Sequence, residues 1–172
     1  MTATVEVRVH HGAAPGLGGD VTGQTLRFKR ADDDAQNTNL PVERPASGFN
    51  YSWRKSLRLA VVTAPDNAVS NLRFFSDAGT LGVGRRVLFD RQAAYTQATA
   101  ADETSAISAI DVATKTSAAP EVLEPGDLAL ASDVFPTAGS QDYVELQLEV
   151  GPTAQAGNSA SSMVMRFRYD ET

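Results

Sequence analysis

Two adjacent histidines and a run of three aspartates are the residues whose types could hold a metal ion. His10 and His11 are the only imidazoles among the 172 residues, and they end a stretch that alternates like a β-strand. Neighbours on a strand point to opposite faces, so we expect a surface pair rather than a chelating site. The run Asp32, Asp33 and Asp34 lacks the alternate spacing, turn glycine and distal glutamate of an EF-hand loop, which predicts solvated charge.

The glycine-rich stretches do not complete a nucleotide-binding motif. Neither the glycines at 16, 18 and 19 nor the stretch Gly82-Val83-Gly84 matches G-x-G-x-x-G or ends in Gly-Lys-Ser/Thr. The chain has no cysteine, which removes thiolate nucleophiles and cysteine metal sites, and it has no G-x-S-x-G. A Ser-His-Asp set built on either histidine is neither supported nor excluded. We therefore predict no enzyme activity, no catalytic residue, no cofactor and no metal ion.

Three aromatic residues, Phe49, Tyr51 and Trp53, alternate along what the pattern predicts to be one strand face. An exposed face of this kind could stack against a sugar ring. The triplet runs on into Leu57 and Leu59, however, so a continuous buried face is the favoured interpretation. The exposure of Trp53 distinguishes the two interpretations.

The overall charge disfavours nucleic acid as a partner. Fifteen Lys and Arg against 21 Asp and Glu give a formal net charge of −6, so the surface is expected to repel phosphate. No apolar run approaches the roughly 20 residues needed to cross a bilayer. The first residues alternate polar and apolar without the pattern of a signal peptide. We expect synthesis in a cytoplasm and no membrane partner.

Period-two alternation predicts seven or eight strands and no long amphipathic helix. Residues 95–120 are the least regular part, where either a short strand near 107–112 or a helical turn at 101–103 fits. The pattern predicts an all-β fold: an antiparallel β-sandwich, jelly-roll-like first and immunoglobulin-like second, forming a single domain over residues 1–172. The predicted strands lie near 5–9, 25–29, 56–62, 71–75, 86–89, 142–150 and 162–169.

The segment 31–48 is too polar to build core and too long for a simple turn. Ordering it alone would cost on the order of 1–2 kcal/mol of backbone entropy per residue, which contact with a neighbour would offset. We predict an interaction arm that lies on another subunit or on a larger assembly. Its apolar anchor would be Leu40, Pro41 and Val42, and Asp32, Asp33 and Asp34 would face solvent or a basic partner.

Four short stretches together carry a resemblance to a known group of proteins. They are the polar stretch Asn39-Leu40-Pro41-Val42, the strand Tyr51-Ser52-Trp53, the strand Asn71-Leu72-Arg73-Phe74-Phe75 and the C-terminal Phe167-Arg168-Tyr169-Asp170-Glu171. In these the chain resembles small virion proteins of tailed bacteriophages, namely capsid decoration or auxiliary (cement) proteins. It departs from their pattern at Glu43, where they carry proline.

The resemblance implies assembly rather than chemistry. The expected function is that of a non-enzymatic virion protein that decorates and stabilises the outer capsid surface. The expected partners are the major capsid protein and further copies of the chain, with a homotrimer as the first expectation. The alternative is a carbohydrate-binding module or an adhesion module of the tail or neck, which would use Tyr51 or Trp53.

Overall fold

Alternating apolar residues, separated by turns and irregular loops, form eight strands in the part of the chain that the structure describes. This computed structural model describes residues 3–13, 18–63, 69–124, 142–155 and 162–171. Two short 3₁₀ turns, Ala100–Thr104 and Val112–Thr114, lie between the fifth and sixth strands. The strands are β1 (Thr4–His10), β2 (Asn50–Tyr51), β3 (Lys55–Thr63), β4 (Val69–Ala78), β5 (Arg85–Gln92), β6 (Glu121–Val122), β7 (Tyr143–Val150) and β8 (Val164–Glu171).

Strand β7 is the centre of the larger sheet. It pairs antiparallel with β5 along its whole length, and on its other side with β3 and then with the short β2. Strand β1 pairs antiparallel with β3, which therefore lies between β1 and β7. The alternation of Leu57, Leu59 and Val61 predicts a central strand at residues 56–62, and β3 indeed has a neighbouring strand on each side.

The smaller sheet packs against one face of the larger one. Strand β4 is its middle strand, with β6 on one side and β8 on the other. The ring of Phe74 on β4 stacks on Phe89 of β5, with 5.7 Å between centroids, and meets Phe167 of β8 edge-on. The prediction of an all-β, antiparallel, two-sheet fold is confirmed, and the jelly-roll connection order stays a prediction. The buried core comprises Val9, Val21, Leu57, Leu59, Val61, Val69, Leu72, Phe74, Val87, Phe89, Val112, Leu123, Val144 and Leu146.

The two sheets are joined at the flank where β5 lies beside β6. The guanidinium of Arg91 on β5 donates to the Val122 carbonyl oxygen (2.8 Å) and lies 3.6 Å from the Glu121 carboxylate. Because β5 and β6 are outer strands of their sheets, β1 and β8 lie at the opposite flank. The outer edge of β1 is covered there by residues 19–22, whose backbone bonds to that of β1.

The second face of the larger sheet is polar, and it is buried as well. Residues 95–108 lie over it: Asp102, Ser105 and Ile107 bond to Gln147, and the Tyr95 ring packs near Tyr143 and His10. The alternation predicts that Glu145, Gln147 and Glu149 face solvent, and this is wrong for all three. Their phase along β7 is as predicted, but polar groups of the same chain take the place of water: Arg54 at Glu145, the covering segment at Gln147 and Arg86 of β5 at Glu149. The buried members of this face include His10, Ser56, Arg58, Tyr143, Glu145, Gln147 and Glu149.

Two stretches depart from the predicted strands. Residues 25–29 form no strand: Leu26 and Phe28 pack against the core, but the Lys29 carbonyl accepts from the Trp53 amide rather than from a ladder partner. Residues 95–120 contain the two 3₁₀ turns in place of a strand at 107–112. The first turn begins with a capping box between Thr99 and Asp102, which confirms the helical-turn alternative.

Candidate functional site

The strongest cluster of charged side chains lies where the covering segment meets the polar face. Arg54, immediately before β3, donates from Nη2 to Asp102 Oδ1 (2.8 Å) and from Nη1 to Glu145 Oε2 (3.0 Å). Asp102 belongs to the first 3₁₀ turn and Glu145 to β7. One arginine therefore holds the covering segment on the sheet through two carboxylates.

Glu145 is the most deeply buried carboxylate of this cluster. Its side chain has no solvent exposure, and burial raises the pKa of its carboxyl to about 6, although Arg54 pulls in the opposite direction. Asp90 lies directly across the β5–β7 ladder and adds a second negative charge. A carboxyl group with a pKa of about 6 could act as a general acid or base. The oxygens of Glu145, however, already accept hydrogen bonds from Arg54 and from the Ser56 hydroxyl at 3.5 Å.

Gln147, two residues further along β7, bonds to the same covering segment. The two hydrogens of its side-chain amide nitrogen are shared among the carbonyl oxygens of Ser52, Asp102 and Ser105, which lie 3.0–3.1 Å away. Its oxygen accepts from the Ile107 amide at 2.9 Å. These four bonds use the donors and acceptor of one side chain to order an irregular loop, so the arrangement stabilises structure rather than presenting reactive groups.

An aromatic group next to this network encloses an arginine. The guanidinium carbon of Arg58 lies 3.6 Å from the centroid of the Tyr143 ring, and His10 meets that ring edge-on at 5.3 Å. The Tyr95 hydroxyl donates to the Gly12 carbonyl oxygen, and burial raises the pKa of that hydroxyl. His10 is thus buried, contrary to the expected surface pair, while His11 is half-buried with Nε2 3.8 Å from Asp34.

The acidic run bonds to its own chain. One carboxylate oxygen of Asp32 accepts from the Gly12 amide (2.8 Å), and one of Asp34 accepts from the Gly19 amide (2.7 Å). The Asp33 carboxylate lies 2.7 Å from the Lys29 ammonium. All three side chains are half-buried, so in this chain they do not simply face solvent, and the basic partner of Asp33 is internal.

Two buried lysines organise the first half of the segment 31–48. The Lys55 ammonium donates to the carbonyl oxygens of Ala31 and Asp33, and the Lys29 ammonium donates to the Ala35 carbonyl and to the Asn37 side chain. Both lysine side chains are almost completely buried. Residues 31–37 therefore wrap around two ammonium groups in the way that a loop wraps around bound cations.

The second half of the segment is exposed. Leu40 is 53% exposed with a φ of 52°, and Pro41 is exposed while Val42 is half-buried. The backbone here is nevertheless fixed, because the Arg30 amide donates to the Leu40 carbonyl and the Arg30 side chain donates to the Pro41 carbonyl. An apolar side chain is thus held in solvent by polar bonds beneath it.

The predicted aromatic face does not form one surface. Of residues 49–53, only Asn50 and Tyr51 belong to a strand, the short β2. Tyr51 is half-buried, and Trp53 is half-buried with its indole nitrogen donating to Glu103 Oε1 (2.9 Å). Phe49 differs from both, because 54% of it is exposed. Among the three predicted aromatic residues, Phe49 alone presents most of its ring to solvent.

Phe49 and Val83 lie at the same end of the larger sheet, and we call this pair the apolar tip. Phe49 packs over Gly151, where an added Cβ would stand 3.1 Å from the phenyl ring. The Gly151 amide bonds to the Gly84 carbonyl, which follows Val83 directly. Val83 is 76% exposed. The tip is fixed by backbone pairing of Asn50 with Val150.

Arg54, Glu145, Gln147, Lys29 and Lys55 were not identified from the sequence. The first three stand at positions where alternation predicts solvent, and the partners they meet lie tens of residues away in the chain. Only the two lysines have a signal in the sequence: Lys29 lies before an acidic, polar segment and Lys55 after it.

Comparisons of the chain with known protein families, with curated proteins and with solved structures gave no match. Within the described ranges, no cluster of three or more histidine and carboxylate side chains is arranged to hold a metal ion. The same ranges contain no helix of the length and hydropathy needed to cross a membrane.

Proposed function

We propose that this chain is a non-enzymatic structural protein of a tailed-phage virion, which binds the major capsid protein on the outer surface of the shell. The observation that carries the proposal is the apolar tip: Phe49 and Val83 are held in solvent by an ordered backbone, and Phe49 directly follows the segment that contains the exposed Leu40. Burying apolar area contributes about 25 cal/mol per Å², so covering these residues favours association.

Two further features support this function over a catalytic one. Glu145, the carboxyl group whose pKa is raised to about 6, binds Arg54 and with it orders a loop of its own chain. The chain also resembles capsid decoration proteins at Asn39–Val42 and Tyr51–Trp53, which flank the segment that carries Phe49. The formal charge of −6 suits an outer surface better than one that faces packaged DNA.

The test is cosedimentation of the purified chain with shells assembled from the major capsid protein encoded alongside it. We expect saturable binding by the wild-type chain, and a loss of at least tenfold in affinity for the double variant Phe49→Ser/Val83→Ser. The matched control is Val122→Ser, which changes an exposed valine in the smaller sheet. Shells that do not bind the wild-type chain, or that bind the double variant equally well, would contradict the proposal.

A further inference from the structure

Strand β8 has a long edge to which no described segment of the chain pairs. It pairs with β4 on one side, over the range from Val164 to Glu171. Within the described part of the chain, no backbone segment bonds to its other side. The outer edges of the larger sheet differ in this respect, because residues 19–22 cover β1 and residues 110–111 bond to β5. An uncovered strand of eight residues without proline or glycine is a template for pairing with another strand.

The inner face of β8 is incompletely covered. Its apolar side chains pack against the core, yet each remains partly exposed, whereas the inward residues Val144 and Leu146 of β7 are fully buried. A strand added beyond β8 would cover these side chains and continue the core past the present edge. The side chains concerned are Met163, Met165, Phe167 and Tyr169.

The outer face of β8 has a charge order that complements itself. Arg166 and Arg168 precede Asp170 along the strand, and all three are exposed. Charges on an edge strand discourage pairing with most sequences. When the same strand is laid antiparallel to itself with Tyr169 on the two-fold axis, however, Arg168 of each copy lies opposite Asp170 of the other, and opposite charges across a ladder stabilise the pair.

We propose that β8 pairs antiparallel with β8 of a second copy of this chain, about a two-fold axis. The two three-stranded sheets then form one six-stranded sheet, and an arginine of each copy lies opposite Asp170 of the other. Such an interface is the same patch on both subunits, so it closes at the dimer. The expectation of a homotrimer would then require a different surface. This inference does not rest on the proposed binding to shells.

The test measures molar mass by sedimentation velocity, without capsid protein, at chain concentrations up to about 100 μM. We expect a wild-type dimer. Arg166→Glu/Arg168→Glu makes positions 166, 168 and 170 of the outer face all acidic, and Asp170→Lys makes them all basic, so the dimer dissociation constant of each variant alone is expected to be at least tenfold higher. An equimolar mixture of the two variants is expected to restore a dimer, because opposite edges then meet.

The mixture also controls for folding. Arg166 and Asp170 have partners in their own chain, Asp77 and Asn71, so a variant that lost its fold would not pair in the mixture. Glu43→Lys, an exposed charge reversal on another surface, should leave the dimer intact. A monomeric wild type, charge variants that remain dimers, or a mixture that stays monomeric would each overturn the proposal.

Discussion

Glu145 shows how one buried carboxylate couples pH to stability. Its folded-state pKa of about 6 lies above the value of 4.5 for an unperturbed glutamate, because burial disfavours its charge more than Arg54 supports it. Between these two values the folded protein holds a proton that the unfolded chain has released. Stability from this group is therefore complete below the unfolded pKa, and it is lost as the pH rises through about 6.

Replacing Glu145 with glutamine should remove that pH dependence. The difference in the free energy of unfolding, wild type minus Glu145→Gln, should increase by about 2 kcal/mol when the pH falls from about 7.5 to about 4. Taking the difference cancels groups such as Asp33, whose pKa the bonds from Lys29 and Ala35 lower despite burial. Urea unfolding at several pH values measures it. A difference that stays constant with pH, or that decreases, would contradict the assignment.

Substitutions of two leucines test which face of β3 and β7 packs into the core. Leu59 and Leu146 lie in the buried core between the sheets. Substituting either with alanine should cost roughly 2–5 kcal/mol of unfolding free energy, because a cavity is left in a packed core. Leu40→Ala, at an exposed position, should change it by less than about 0.5 kcal/mol. Denaturant titration gives all three values, and core variants as stable as Leu40→Ala would show that the strand phase is incorrect.

Among the irregular elements, the segment 31–48 has two halves with different surroundings. Residues 31–37 bond to Lys29 and Lys55 of the same chain, whereas the half with Leu40 is exposed. Deleting residues 32–47 as a block would leave both ammonium groups buried without these partners. The structure therefore implies that such a deletion destabilises the fold, whereas an arm that lay only on another subunit could be deleted without loss of the fold.

Lys55→Met should loosen the first half of the segment selectively. It leaves the carbonyl oxygens of Ala31 and Asp33 without their buried donor, which costs about 1–3 kcal/mol for each group that water does not reach. Hydrogen exchange followed by mass spectrometry should show faster exchange over 31–37. Lys115→Met, which removes a less buried lysine paired with Glu121, is the matched control. Unchanged exchange over 31–37 in Lys55→Met would show that the lysine does not order the segment.

For the whole molecule, the proposed place on a shell fixes how many copies a particle contains. A shell-decorating protein should be present in hundreds of copies, whereas a neck, tail or vertex protein should be present in about six or twelve, following the symmetry of each location. Quantitative mass spectrometry of purified particles, with the major capsid protein as internal standard, measures this ratio. A count near twelve would contradict a place on the shell surface and support the tail or neck alternative.

Much of the fold was predictable from the sequence, because strand alternation is local. The inward phase of β7, the central place of β3 and the two faces of β8 all follow from residues that are neighbours in the chain. The segment 25–29 shows the limit of this reasoning. Its side chains alternate as in a strand, but a strand also needs a ladder partner, and none of the described strands pairs with it.

The sequence by itself determined the two-sheet β architecture and the position of the apolar core. Only the tertiary structure decided that Glu145 and Gln147 are buried, because period-two alternation separates two faces of a strand but does not say whether the second face meets water or another part of the chain. The same holds for Lys55, whose carbonyl partners lie more than twenty residues away. Burial of a polar group depends on such distant partners, and their approach is a property of the folded chain.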